Sequence, residues 1–97
     1  MKVYFIATIR NIDIEGTAGT RVVGYYEDLE TARKAVEENW GDLYEDGYYK
    51  YAVIEDVEPG LYRSDEAHPI FFKWEDGGFN EIDKPVELNG FFGFTIG

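Results

Sequence analysis

Ser64, Asp65 and His68 are the residues of this 97-residue chain most suggestive of nucleophilic chemistry, and they include its only serine and its only histidine. A hydrolytic triad converges from separated segments onto a rigid elbow. Here the three crowd into one polar excursion between Leu61 and Pro69, with no Gly-x-Ser-x-Gly frame to expose the hydroxyl, and His68 reads as a surface residue preceding a strand. The glycines of Gly16-Thr17-Ala18-Gly19-Thr20 do not make a phosphate loop either. That loop needs Gly-Lys-Ser/Thr opening a helix, whereas Thr20-Arg21 leads into a β-branched run. The densest acidic patch joins Glu37 and Glu38 to Asp42, Glu45 and Asp46. A calcium loop would require oxygens at its first, third and fifth positions and a bidentate glutamate at its twelfth, and this stretch shares only a glycine with that spacing. Paired-carboxylate chemistry would need a scaffold that aims two particular acids across a cleft, and none is specified. No catalytic, metal or cofactor site is therefore expected. The acids read either as a solvated helix end and loop or as an interface.

Composition favours the interface over a nucleic-acid site. Twenty acidic against nine basic residues give a formal charge of −11 and a pI near 4.3. Such a field repels phosphate backbones and anionic lipid and attracts basic protein surfaces. The leading expectation is thus a non-enzymatic protein that docks on a basic partner through Glu37, Glu38, Asp42, Glu45 and Asp46. Aromatics make up 18% of the chain, and they suggest a second class of function, a small-molecule binder with aromatic stacking walls. An anionic ligand such as a nucleotide would also need converging cations, for which Arg10, Arg21, Lys50, Arg63 and Lys73 are available, and the candidate ligand-binding set is Arg10, Arg21, Tyr49, Tyr51, Arg63 and Trp74. The chain has no cysteine, which removes disulfides and thiolate metal sites and fits a cytoplasmic setting. Met1-Lys2 runs straight into an alternating segment, and no apolar run approaches the ~20 residues that span a bilayer. One domain over residues 1–97 is expected.

The elements that must position these residues follow from periodicity. Residues 2–12 alternate, with Val3, Phe5, Ala7 and Ile9 on one face, and predict a first strand. Arg21–Tyr26 reads as an antiparallel return with a bulge at Gly24. A helix is predicted from Asp28 as N-cap, with Leu29, Ala32, Val36 and Trp40 as its apolar stripe, a Glu30–Lys34 pair outside, and Gly41 as its stop. Tyr48–Val57 reads as the central strand, because consecutive Ala52, Val53 and Ile54 demand cover on both faces and Pro59-Gly60 ends the ladder. Ile70–Trp74 and Phe79–Ile82 make a hairpin through Asp76-Gly77, with Phe72 and Trp74 on one face. The fold class expected is α+β: an antiparallel sheet of five or six strands with one helix packed on one face.

The order of these features resembles small accessory proteins of phages and prophages in Gram-positive bacteria. The residues that carry the likeness are the Tyr-Tyr strand end, Asp28-Leu29-Glu30-Thr31-Ala32 with Glu38-Asn39-Trp40, Tyr51-Ala52-Val53-Ile54-Glu55, Gly60-Leu61-Tyr62, Phe72-Lys73-Trp74 and the closing Phe94-Thr95-Ile96-Gly97. They cover most of residues 21–97 and are packing residues. The resemblance implies an accessory protein of no defined chemistry, one that inhibits a host defence by occupying a basic host protein or by acting as a sponge for a nucleotide-derived immune signal. A homo-oligomer is also expected. Tyr49 and Tyr51, placed on one face of the central strand, and the tail Phe91-Phe92-Gly93-Phe94 would be its contacts.

Overall fold

The computed structural model describes residues 2–10, 20–57 and 69–83. Strands β1 (Val3–Arg10), β2 (Thr20–Tyr26), β3 (Tyr49–Val57), β4 (Ile70–Glu75) and β5 (Gly78–Ile82) form one antiparallel sheet in the order β2-β1-β3-β4-β5, and the helix α1 (Leu29–Glu37) follows β2. The α+β architecture expected from periodicity is the one present. Residues 11 and 12 of the predicted first strand, Pro59-Gly60 and the aromatic tail lie outside the described residues.

β3 is the middle strand of the five, and its consecutive apolar residues serve two cores. Ala52 and Ile54 meet Ile6, Phe72 and the helix residues Ala32, Ala35 and Val36 on one face. Val53 joins Ala7, Ile9, Tyr51 and Phe71 on the other and is fully buried, at 0% exposure. Burial of apolar side chains on both faces of a central strand is the main source of stability for a domain of this size.

Three local signals fix the chain's changes of direction. Asp28 has extended backbone and caps α1, its carboxylate accepting from the Thr31 N–H at 2.8 Å and the Thr31 hydroxyl at 2.7 Å. Asp76 and Gly77 both have positive φ, 55° and 83°, as a two-residue turn between β4 and β5 requires. The shift in register between Ile6 and Ala7 confirms a bulge in β2, but its extra residue is Val23, one position before the Gly24 that the sequence indicated.

The helix ends two residues earlier than Gly41 would have it. Asn39 takes the left-handed conformation, φ 54°, its N–H donates to the Val36 carbonyl at 3.1 Å, and the Trp40 N–H donates to the Ala35 carbonyl at 2.9 Å. This paired-carbonyl stop usually employs glycine, and asparagine is the side chain that tolerates it next best. Trp40 consequently leaves the buried stripe and Ala35 enters it. Lys34, four residues from both Glu30 and Glu38, lies 4.0 Å from Glu38. A cation there faces the helix's negative end, which Glu30 does not offer.

A second shift in register sits between Ile9 and Arg10, where β3 carries the extra residue Lys50. The bulge separates Tyr49 from Tyr51. Tyr51 packs in the second-face cluster, while Tyr49 lies beneath the guanidinium of Arg21, a residue paired with Thr8 on the helix side of the sheet. The two tyrosines therefore do not share a face, and each is only 8% exposed.

Candidate functional site

α1 and the connection to β3 bring the predicted acidic residues to one side of the molecule, but they do not leave all of them equally free. Glu37 and Glu38 project from the exposed last turn of α1. Glu38 accepts from the Trp40 indole N–H at 3.1 Å. The Asp42 carboxylate is tied into its own turn, accepting from the Glu45 N–H at 3.1 Å, while the Asn39 side-chain oxygen accepts from the Tyr44 N–H at 2.9 Å. Glu45 forms an ion pair with Arg21 of β2. The side chain of Asp46 is outside the described residues. Together these bonds hold a short, ordered connection in which Glu30, Glu37 and Glu38 give the exposed face of α1 its negative character.

The alternative, cationic set divides in three. Arg10, Arg21 and Tyr49 come together at one end of the sheet with Tyr48: the Arg10 and Arg21 guanidinium carbons each stand 4.9 Å from a ring centroid, over Tyr48 and Tyr49 respectively, and the two rings meet edge to face at 4.8 Å. Tyr48 is 51% exposed. Tyr51 faces Lys73 across the second face, at 6.0 Å. Trp74 is covered by Tyr44, stacked at 3.9 Å with 7° between planes, and meets the edge of Phe79 at 5.2 Å. It is a packing residue of the helix side. Arg63 lies outside the described residues, as do Ser64, Asp65 and His68.

Among the described residues, two concavities stand beside the helix. One, of about 310 Å³, is lined by Tyr4, Leu29, Ile54 and Ile70 with the Lys2–Asp56 ion pair, 3.4 Å, at its rim. The other, of about 220 Å³, lies between α1 and β2. Its buried lining is Ile6, Ala35 and Leu43, and its more exposed lining is Val23, Tyr26 and Trp40, the last two rings meeting edge to face at 6.2 Å. Gly24 completes it. This second cavity borders the acidic helix end, and sequence reasoning did not find it. The signal that points to it is a glycine inside a strand pattern followed, sixteen residues later, by a tryptophan at the helix end.

Among the described residues there is no cluster of three or more His, Cys, Asp or Glu side chains that could hold a metal ion. No helix among them is long and apolar enough to cross a membrane. The Asp28 carboxyl is held below the usual carboxylate range, chiefly by the Thr31 hydroxyl and then by the Thr31 and Glu30 N–H groups, which marks a structural cap rather than a proton-transfer group. Compared with protein-family models, with curated proteins and with solved structures, the chain finds no match.

Proposed function

We propose that this is a non-enzymatic binding protein whose acidic helix face docks on a basic protein partner, in the manner of an inhibitor of a host defence. The observation that carries the proposal is the exposed carboxylate pair Glu37 and Glu38 on a helix end fixed by the Asn39 stop, within a chain of net charge −11. A rigid, negatively charged convex surface steers a cationic partner and sets its orientation while demanding little ordering on contact. Resemblance to phage accessory proteins supplies the inhibitory role. The cytoplasm of the bacterial host is where such a partner would be met.

Capture of partners from a host lysate on the immobilised protein tests the proposal. A retained basic protein should be released by moderate salt, and Glu37→Lys/Glu38→Lys should weaken its capture by about tenfold or more. Glu45→Lys should matter less at the surface, because Glu45 is held in a close ion pair with Arg21, whereas Glu38 meets Lys34 only at 4.0 Å and Glu37 forms no ion pair among the described residues. Capture that survives both the salt and the charge reversal would defeat the idea.

A second reading has its own observation. Arg10 and Arg21, each over a tyrosine ring, offer cations and a stacking surface to an anionic ring compound such as a nucleotide signal. Native mass spectrometry of the protein recovered from infected cells separates the two, a retained protein favouring the inhibitor and a retained small ligand the sponge.

A further inference from the structure

The cavity between α1 and β2 has a shape that its own strand leaves open. Gly24 lies directly opposite Ile6 in the ladder, so a side chain there would point to the helix face of the sheet, and a Cβ built on it meets no atom within 4 Å. Glycine is not needed for the backbone. Gly24 is not among the positive-φ positions, and the neighbouring bulge residue is Val23, so a strand-forming side chain could occupy the position and would extend into the space. Beside a bulge whose extra residue is Val23, a glycine with open space over it offers a place where another group can approach.

What approaches is indicated by the lining. The depth is apolar, formed by Ile6, Ala35 and Leu43; the mouth carries the Trp40 ring, 39% exposed, and Tyr25, and beside it stands the Glu38 carboxylate, which accepts from the Trp40 indole N–H and lies 4.0 Å from Lys34. An apolar slot that ends in an aromatic ring and a carboxylate is complementary to a slender aliphatic stem that ends in a positive charge. We infer that the cavity seats a lysine side chain of the basic partner, its methylenes against Ile6, Ala35 and Leu43 and its ammonium at Trp40 and Glu38. This rests on the docking surface proposed above and gives that surface an anchor: the cavity borders the helix end from which Glu37 and Glu38 project. Charge complementarity chooses the occupant, since a chain of −11 with a carboxylate bonded to the ring at the mouth disfavours an anionic group there.

The test is a titration of the isotopically labelled full chain with lysine blocked at both its α-amino and carboxyl ends, followed by nuclear magnetic resonance. Parallel titrations use the same compound acetylated on the side-chain nitrogen, and sodium chloride at matched ionic strength. Saturable shifts are expected at the Trp40 indole N–H and the Gly24 amide, with Trp74 unmoved and the acetylated compound about tenfold weaker or more. Gly24→Val fills the cavity with a strand-forming side chain and should abolish these shifts while circular dichroism and the thermal midpoint stay at or above the parent's. If that variant fails to fold, Trp40→Leu decides instead, since it keeps an apolar wall but removes the ring. Equal binding of the acetylated compound, no shift at Trp40, or undiminished binding by the deciding variant would each overturn the inference. The docking surface stands apart from it: partner capture still lost on Glu37→Lys/Glu38→Lys but unaffected by Gly24→Val would leave the acidic surface in place without the lysine seat.

Discussion

Asp28 shows how one side chain can tie helix stability to pH. Its folded-state carboxyl titrates below the unfolded value of 3.8 because the Thr31 hydroxyl and N–H donate to the charged form. A depressed carboxyl contributes stability that is present above the unfolded value and is lost as pH falls through the folded one. We expect Asp28→Asn, which still caps through its amide oxygen, to flatten the decline in thermal stability between about pH 4 and pH 2 while changing the midpoint little at pH 7. Thermal melts by circular dichroism across that range provide the check, and an unchanged acid slope would remove Asp28 from the account. Asp28 was legible as a cap because its partner is only three residues away.

At the scale of the element, the exit from α1 and the middle of β3 carry the clearest consequences. Asn39 holds a left-handed backbone and its side chain accepts from the Tyr44 N–H at 2.9 Å. Asn39→Gly should keep the helix stop and lose only the side-chain bond, whereas Asn39→Val should cost about 2 kcal/mol through a strained β-branched residue at positive φ and the lost acceptor. Urea unfolding of both variants separates the two effects. In β3, Val53→Asp places a carboxylate in a fully buried position between Ala7 and Phe71. That should cost roughly 3 kcal/mol or more, enough to lower the thermal midpoint by about 10 °C or more. A parent-like melting curve would mean that Val53 is not a core residue. The strand was readable from its own composition, since three consecutive apolar residues bounded by turn formers have few other homes.

For the whole molecule the governing quantity is charge. Net repulsion among −11 charges opposes the compact state, so added salt should raise the thermal midpoint of the isolated chain. Over the same range of ionic strength, capture of a basic partner should weaken. Opposite responses to one variable are a sharp requirement: a midpoint that does not move between about 20 and 300 mM sodium chloride would show that local pairs such as Arg33–Glu81, 2.7 Å, and Glu45–Arg21 already cancel the repulsion within reach of each charge.

The sequence by itself determined the features that depend on neighbours along the chain. Alternation in β1, the Asp28 cap, the Asp76-Gly77 turn and the apolar run of β3 each act over a few residues, and each is where local physics puts it. Tertiary structure decided whatever depends on register and on partners distant in sequence. The extra residue at Lys50 turned Tyr49 and Tyr51 to different faces, a change that no count of alternate residues can foresee because the bulge exists only against Ile9 and Arg10 of another strand. Arg21 reached across from β2 to neutralise Glu45, so five acids close in sequence became an uneven surface with Glu37 and Glu38 at its exposed end. The space at Gly24 likewise exists only because the chain, turned out of α1 at Asn39, sets Trp40 and Leu43 against β2. A missing side chain is invisible in one dimension, and it becomes a cavity only when packing brings up the opposite wall.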